Sequence, residues 1–146
     1  MATSNFPNFS TTLLAALKAA SWPVSTPQIA DGADIVPDVQ REFVLVGNCE
    51  AKEDWDLLGN KRRNEQMKQY ITIRANKVGD TQAATTARAF ALMAVIENYV
   101  RGDPTIGGTV QMAGLVEWKV TKNGNEGEKY AEIVLAIGVR YGWITQ

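Results

Sequence analysis

The stretch VRGDPTIGGTVQMAG, residues 100–114, decides how this chain is read. Up to Arg101 the apolar residues recur at helical spacing. Gly102, Pro104, Gly107 and Gly108 then follow within seven residues, and beyond them apolar and polar residues alternate. A glycine cluster of this kind is either a cradle for phosphate or a corner between a helix and a strand. A phosphate cradle sits where a strand runs into a helix N-terminus, so that backbone N–H groups and the positive end of the helix dipole meet the anion. Here the order is reversed, and neither GxGxxG nor GK[ST] is present. Gly102 suits a helix C-cap, Pro104 blocks continuation, and Gly107-Gly108 permit a tight turn. The segment reads as a corner.

The flanks follow from that reading. Residues 81–101 predict a helix that Asp80 or Thr81 can cap. Leu92, Val95, Ile96, Tyr99 and Val100 form its apolar stripe, and Phe90, Ala91 and Ala94 widen it. So broad a surface predicts packing against more than one neighbour, another subunit included. Downstream, residues 108–120 and 129–144 read as a hairpin turning at Asn123-Gly124. That turn puts Val110, Met112, Val116 and Trp118 beside Ala131, Ile133, Leu135 and Ile137. Gln111, Glu117, Tyr130 and Glu132 take the other face, and Lys119 lies across from Glu128.

Upstream, residues 9–20 carry helical spacing, and residues 42–57 and 67–75 read as a hairpin around Gly59. Pairing these strands sets Phe43, Leu45 and Ala51 beside Ala75, Ile73 and Met67, with Glu50 opposite Lys68. Residues 22–41 hold three prolines, three acids and no period, and read either as a loop wrapped over the surface or as a binding arm. The predicted fold is α+β in the order α-β-β-α-β-β: a mainly antiparallel four-stranded sheet with two helices packed on one face. Residues 1–146 form a single domain, with an extended loop or arm at 22–41 and a protruding hairpin at 50–68.

Bulk composition narrows the chemistry. A net charge of −1 exerts no global pull toward nucleic acid or an acidic membrane. There is no histidine, which excludes His-based triads and His-ligated metal sites. The single cysteine, Cys49, can form neither an internal disulfide nor a CxxC site, and reads as a small buried side chain. The N-terminal segment lacks the basic leader of a secretory signal, and no stretch has the length of a membrane-spanning helix; the expectation is a soluble protein made in a reducing cytoplasm.

Two charged clusters remain. Lys61, Arg62 and Arg63 lie near the tip of the first hairpin: a solvated basic tip, or a salt-sensitive contact with an acidic partner or passing nucleic acid. Glu50, Glu53, Asp54 and Asp56 are split between two faces by strand alternation, which reads as an exposed charged strand. No catalytic, metal-binding or cofactor-binding constellation is found, and no enzymatic activity or cofactor is expected.

Taken in order, the landmarks resemble the tail-terminator proteins of long-tailed bacteriophages, also called tail-completion or minor tail proteins. The matching segments are a helix ending near SWPV, a loop to REFVLVG, the strand YITIRANKVG, the helix ARAFALMAVIENYV, the exit RGDPTIGGTVQMAGLVEW and the final strand AEIVLAIGVRY. Together they cover nearly the whole chain, and DPTIGGTV is the most distinctive.

The resemblance implies a structural virion protein at the tail–neck junction, made in the host cytoplasm. Such proteins form a ring, typically a hexamer, that caps the tail tube, ends its polymerisation and meets the head connector. DNA at most passes non-specifically through the lumen. The implied partners are copies of itself, tail tube protein and connector protein. No catalytic residues come with the resemblance. From the breadth of the second helix, Phe90, Ile96 and Tyr99 are expected at a subunit interface, and Lys61, Arg62 and Arg63 at a contact with a partner or the lumen. Competing readings are another neck or head-completion protein, or a small ligand-binding α+β domain.

Overall fold

The computed structural model describes residues 6–32, 42–55, 62–76, 81–125 and 128–145. Helix α1 (Phe6–Ala19) is followed by strands β1 (Gln28–Asp31), β2 (Phe43–Trp55) and β3 (Arg62–Asn76). Helix α2 (Gln82–Gly102) and strands β4 (Met112–Asn125) and β5 (Glu128–Thr145) complete the fold. The strands make one sheet in the order β1-β2-β3-β5-β4. The α+β class is as expected, but the sheet is not the four-stranded antiparallel one. It has five strands and is mixed, because β1 pairs with β2 in parallel, Gln28 beside Phe43 and Asp31 beside Val46. β1 lies inside the stretch expected to be a loop or arm. Four residues are too few for a period to show against three prolines.

Both helices share one core with one face of the sheet. α1 contributes Phe9, Leu13 and Leu17, four residues apart and fully buried. α2 contributes Ala89, Leu92 and Ile96, and the sheet Val44, Val46, Ile71, Ile73, Ile133, Leu135 and Ile137. α1 closes on Trp22, whose indole N–H donates to the Leu17 carbonyl at 3.0 Å and satisfies one of the helix's terminal acceptors. α2 starts at Thr81, an extended residue whose hydroxyl accepts the Ala84 N–H at 3.1 Å, as the sequence allows.

Two bulges set which side chains face the core. Between Val46↔Ile71 and Cys49↔Gln69, β2 spends two residues, Gly47 and Asn48, against the single Tyr70. Beyond this point the expected register holds: Glu50 is opposite Lys68 and Ala51 opposite Met67. Before it the expected register is one residue out, since Phe43 faces Arg74 and Leu45 faces Thr72. The core face of β2 is therefore Val44 and Val46, and Phe43 and Leu45 take the other side. The side chain of Gln69, fully buried, spans the irregularity: its amide donates to the carbonyls of Gly47, Asn48 and Tyr70 at 2.9, 3.2 and 3.0 Å.

In the second hairpin the pairing runs on to Asn125↔Glu128, so the turn lies beyond Asn123-Gly124, and Lys119 sits opposite Val134. A bulge between Leu115 and Glu117 leaves Val116 without a partner on β5. Ala113 and Leu115 face the core before it, and Trp118 and Val120 after it. Met112 and Val116, expected on the core face, are turned outward instead.

The hairpin expected to protrude at 50–68 does not stand alone. β3 is paired by β5 as far as Arg62↔Thr145, so three strands continue past Met67 and Val139, the last buried side chains among those described. From Met67 to Arg62 that extension is about 17 Å at roughly 3.3 Å per residue.

Candidate functional site

The corner after α2 is closed by its own residues. Asp103 caps the helix, donating its N–H to the Tyr99 carbonyl at 2.9 Å. Its carboxylate accepts the Gly107 N–H at 2.7 Å and the Thr105 hydroxyl at 2.9 Å, and the Gly108 N–H goes to the Thr105 hydroxyl oxygen at 3.2 Å. The Gly107 N–H, followed by the Thr105 hydroxyl, holds the Asp103 carboxyl below the usual carboxylate range. The glycine N–H donors that a phosphate would need are thus taken by the Asp103 carboxylate and the Thr105 hydroxyl of this chain, and the segment is a structural corner.

Gly107 and Gly108 take left-handed φ of 64° and 77°. Ile106 precedes them at φ 46° with its side chain fully buried. A β-branched residue there costs about 1–2 kcal/mol, offset by the burial of its side chain. A Cβ on Gly107 would meet the Thr12 methyl at 2.8 Å, so the corner is seated against α1.

The exposed apolar surface gathers elsewhere. Four large hydrophobic side chains are exposed among the described residues, and three of them, Met112 (65%), Val116 (56%) and Trp118 (50%), lie on β4. β4 is an edge strand of 14 residues. Its outer rim presents backbone N–H and C=O groups that no described strand takes up. Trp118 meets Phe90 of α2 edge to face at 5.3 Å. Between the C-terminal half of α2 and β4 runs a groove of about 320 Å³ lined by Val100, Arg101, Pro104, Ala113 and Leu115. Val116 lies over Gly138, where any Cβ would approach its methyl to 2.6 Å. The bulge at Val116, the small Gly138 beneath it and the edge position together turn apolar groups outward.

The fourth exposed hydrophobe, Val24, stands fully exposed at φ 67°. Arg88 of α2 holds this turn. It donates to the carbonyls of Pro23 and Ser25 and forms a two-pronged pair with Glu42 at 2.7 and 2.8 Å. On the outer sheet face, Arg74 pairs with Glu132 at 3.0 Å and lies 4.4 Å from the Tyr130 ring centre and 5.6 Å from that of Phe43. Lys68 reaches Glu117 at 3.6 Å, with both side chains half exposed.

The expected interface residues separate. Ile96 has no exposed surface within the single chain, where it belongs to the core beneath the sheet. Phe90 and Tyr99 are half-buried against the core's margin. Burial, then the nearby Asp103 carboxylate, raises the Tyr99 phenol above its usual range. Lys61 lies outside the described residues. Arg62 and Arg63 open β3, backbone-paired with Thr145 and Ile144, and their side chains lie outside the described set. Alternation places Trp118 on the core-facing row, where it lies, and nothing in the local sequence marks β4 as the edge that leaves it half exposed. Among the described residues no cluster of three metal-ligating side chains occurs, and no helix is long and apolar enough to cross a membrane.

The sequence matches no known protein family and no curated protein. The structure is similar to a chain from the virion of a native gene transfer agent (GTA) particle. The identity is 15% and the TM-score 0.47, over 90% of this chain and 91% of that one. A likeness of that degree fixes no function.

Proposed function

We propose that this chain is a structural, non-catalytic virion protein that acts as a tail terminator. In this reading identical copies close into a ring, typically of six, which caps the tail tube, stops addition of tube protein and presents a surface to the head connector. The motif order supports it, running from the helix before SWPV through DPTIGGTV to AEIVLAIGVRY. One structural observation carries it: among the described residues, three of the four exposed large hydrophobes sit on the edge strand β4, where no described residue covers them fully. Apolar groups clustered on an unpaired edge are a surface for another polypeptide. A ring contact is heterologous, joining two different patches of neighbouring copies. The β4 edge and the Phe90–Trp118 flank of α2 form one such patch.

The test uses growing tail tubes and the purified protein. Added protein is expected to halt tube elongation and to appear as a ring at one tube end in negative stain. Binding to isolated head portals with no effect on tubes would assign the chain to another neck position and refute the terminator reading. Rings absent from both, together with a thermal shift from a small ligand, would refute a virion role.

A further inference from the structure

The middle of the exposed edge reads Glu117-Trp118-Lys119, with the acid and the base placed symmetrically about the tryptophan. An antiparallel pairing of this strand with a second copy of itself, centred on Trp118, sets Glu117 of each copy opposite Lys119 of the other and Trp118 opposite Trp118. Glu117 and Lys119 project from the outer face of the sheet and Trp118 from the helix face, so one two-fold axis satisfies all three. Glu117 touches only Lys68 at 3.6 Å among described ion pairs and is half exposed, and Lys119 is exposed; both are accessible to the second copy.

We infer that β4 of one free subunit pairs with β4 of a second about a two-fold axis through Trp118, joining two five-stranded sheets into one of ten. Such a contact is self-complementary and closes at two copies, so it yields a dimer and no polymer. It takes up the open N–H and C=O groups of the edge and covers Trp118, the groups that make β4 liable to non-specific pairing. The dimer does not depend on the terminator reading. Where that reading holds, one strand cannot serve both contacts, and the dimer must open before a ring forms.

Sedimentation equilibrium without tubes tests it. The wild type is expected to be a dimer. Glu117→Lys alone and Lys119→Glu alone each set like charges opposite each other twice, and each is expected to raise the dissociation constant by about 30-fold. An equimolar mixture of the two variants restores both Glu–Lys pairs and is expected to re-form a mixed dimer near wild-type affinity. Circular dichroism checks that each variant stays folded, as expected for exposed positions. The inference is overturned by a wild type that stays monomeric, by a ring of six unaffected by either variant, or by a mixture no tighter than its components. Tube capping is a separate readout, so the dimer and the terminator role stand or fall independently.

Discussion

Gln69 is a buried polar residue in an apolar sheet face, and its position is explained by three carbonyls. The extra residue in β2 takes Gly47 and Asn48 out of the register with β3, and the Gln69 amide nitrogen donates to both of their carbonyls as well as to that of Tyr70. Replacing it with leucine keeps the volume and strands those acceptors. Gln69→Leu is expected to lower unfolding stability by about 2 kcal/mol in urea titration, with the loss greatest at the β2 end of the sheet. Asp103 is the second case. Its folded pKa is depressed by donors from Gly107 and Thr105. Its contribution is therefore complete above the ordinary carboxylate range and fades as pH falls through the folded pKa. Stability curves of wild type and Asp103→Asn are expected to differ at neutral pH and to converge in acid. Parallel curves down to the lowest pH would show that the carboxylate charge does not hold the corner.

Strand β1 has only four residues, and its place at the sheet edge depends on a neighbour. Arg88 fastens the Pro23–Ser25 turn before it and Glu42, which directly precedes β2, and both members of the Arg88–Glu42 pair are mostly buried, with side chains 17% and 18% exposed. Arg88→Ala leaves Glu42 without its counter-charge in that setting. The expected result is a loss of roughly 2–3 kcal/mol and faster hydrogen exchange at Ile29 and Ala30 than at Ile71 or Ile133. Exchange that rises evenly over all strands would mean that Arg88 supports the whole fold and not β1. At the other end of the sheet lies β4, the second edge strand. Its bulge turns Val116 outward over Gly138, so the strand is built to carry apolar groups at the rim.

For the molecule as a whole, the fold separates residues that stabilise it from residues available to partners. Ile96 lies under the sheet and Trp118 at its rim. Ile96→Asp buries an unpaired charge and is expected to abolish folding, with a loss above about 4 kcal/mol. Trp118→Ser removes a half-exposed ring; it is expected to change the melting temperature little and to abolish tube capping. Capping that survives Trp118→Ser in a folded protein would move the ring contact away from β4.

Much of this was legible from short-range pattern. The corner at Gly102–Gly108, a cap at one of Asp80 and Thr81, the two helices and the Glu50–Lys68 pairing all follow from spacing and local chemistry. The bulges at Gly47-Asn48 and Val116, the parallel strand β1 and the partner of Arg88 were not legible. Each is settled by contacts between segments distant in sequence: Gln69 clamping β2, β2 offering its edge to Gln28–Asp31, and α2 reaching Pro23 and Glu42. The exposure of Trp118 belongs with them. Alternation assigns a side chain to a face of a strand, but only the order of strands in the finished sheet decides whether another strand lies beside it or solvent does.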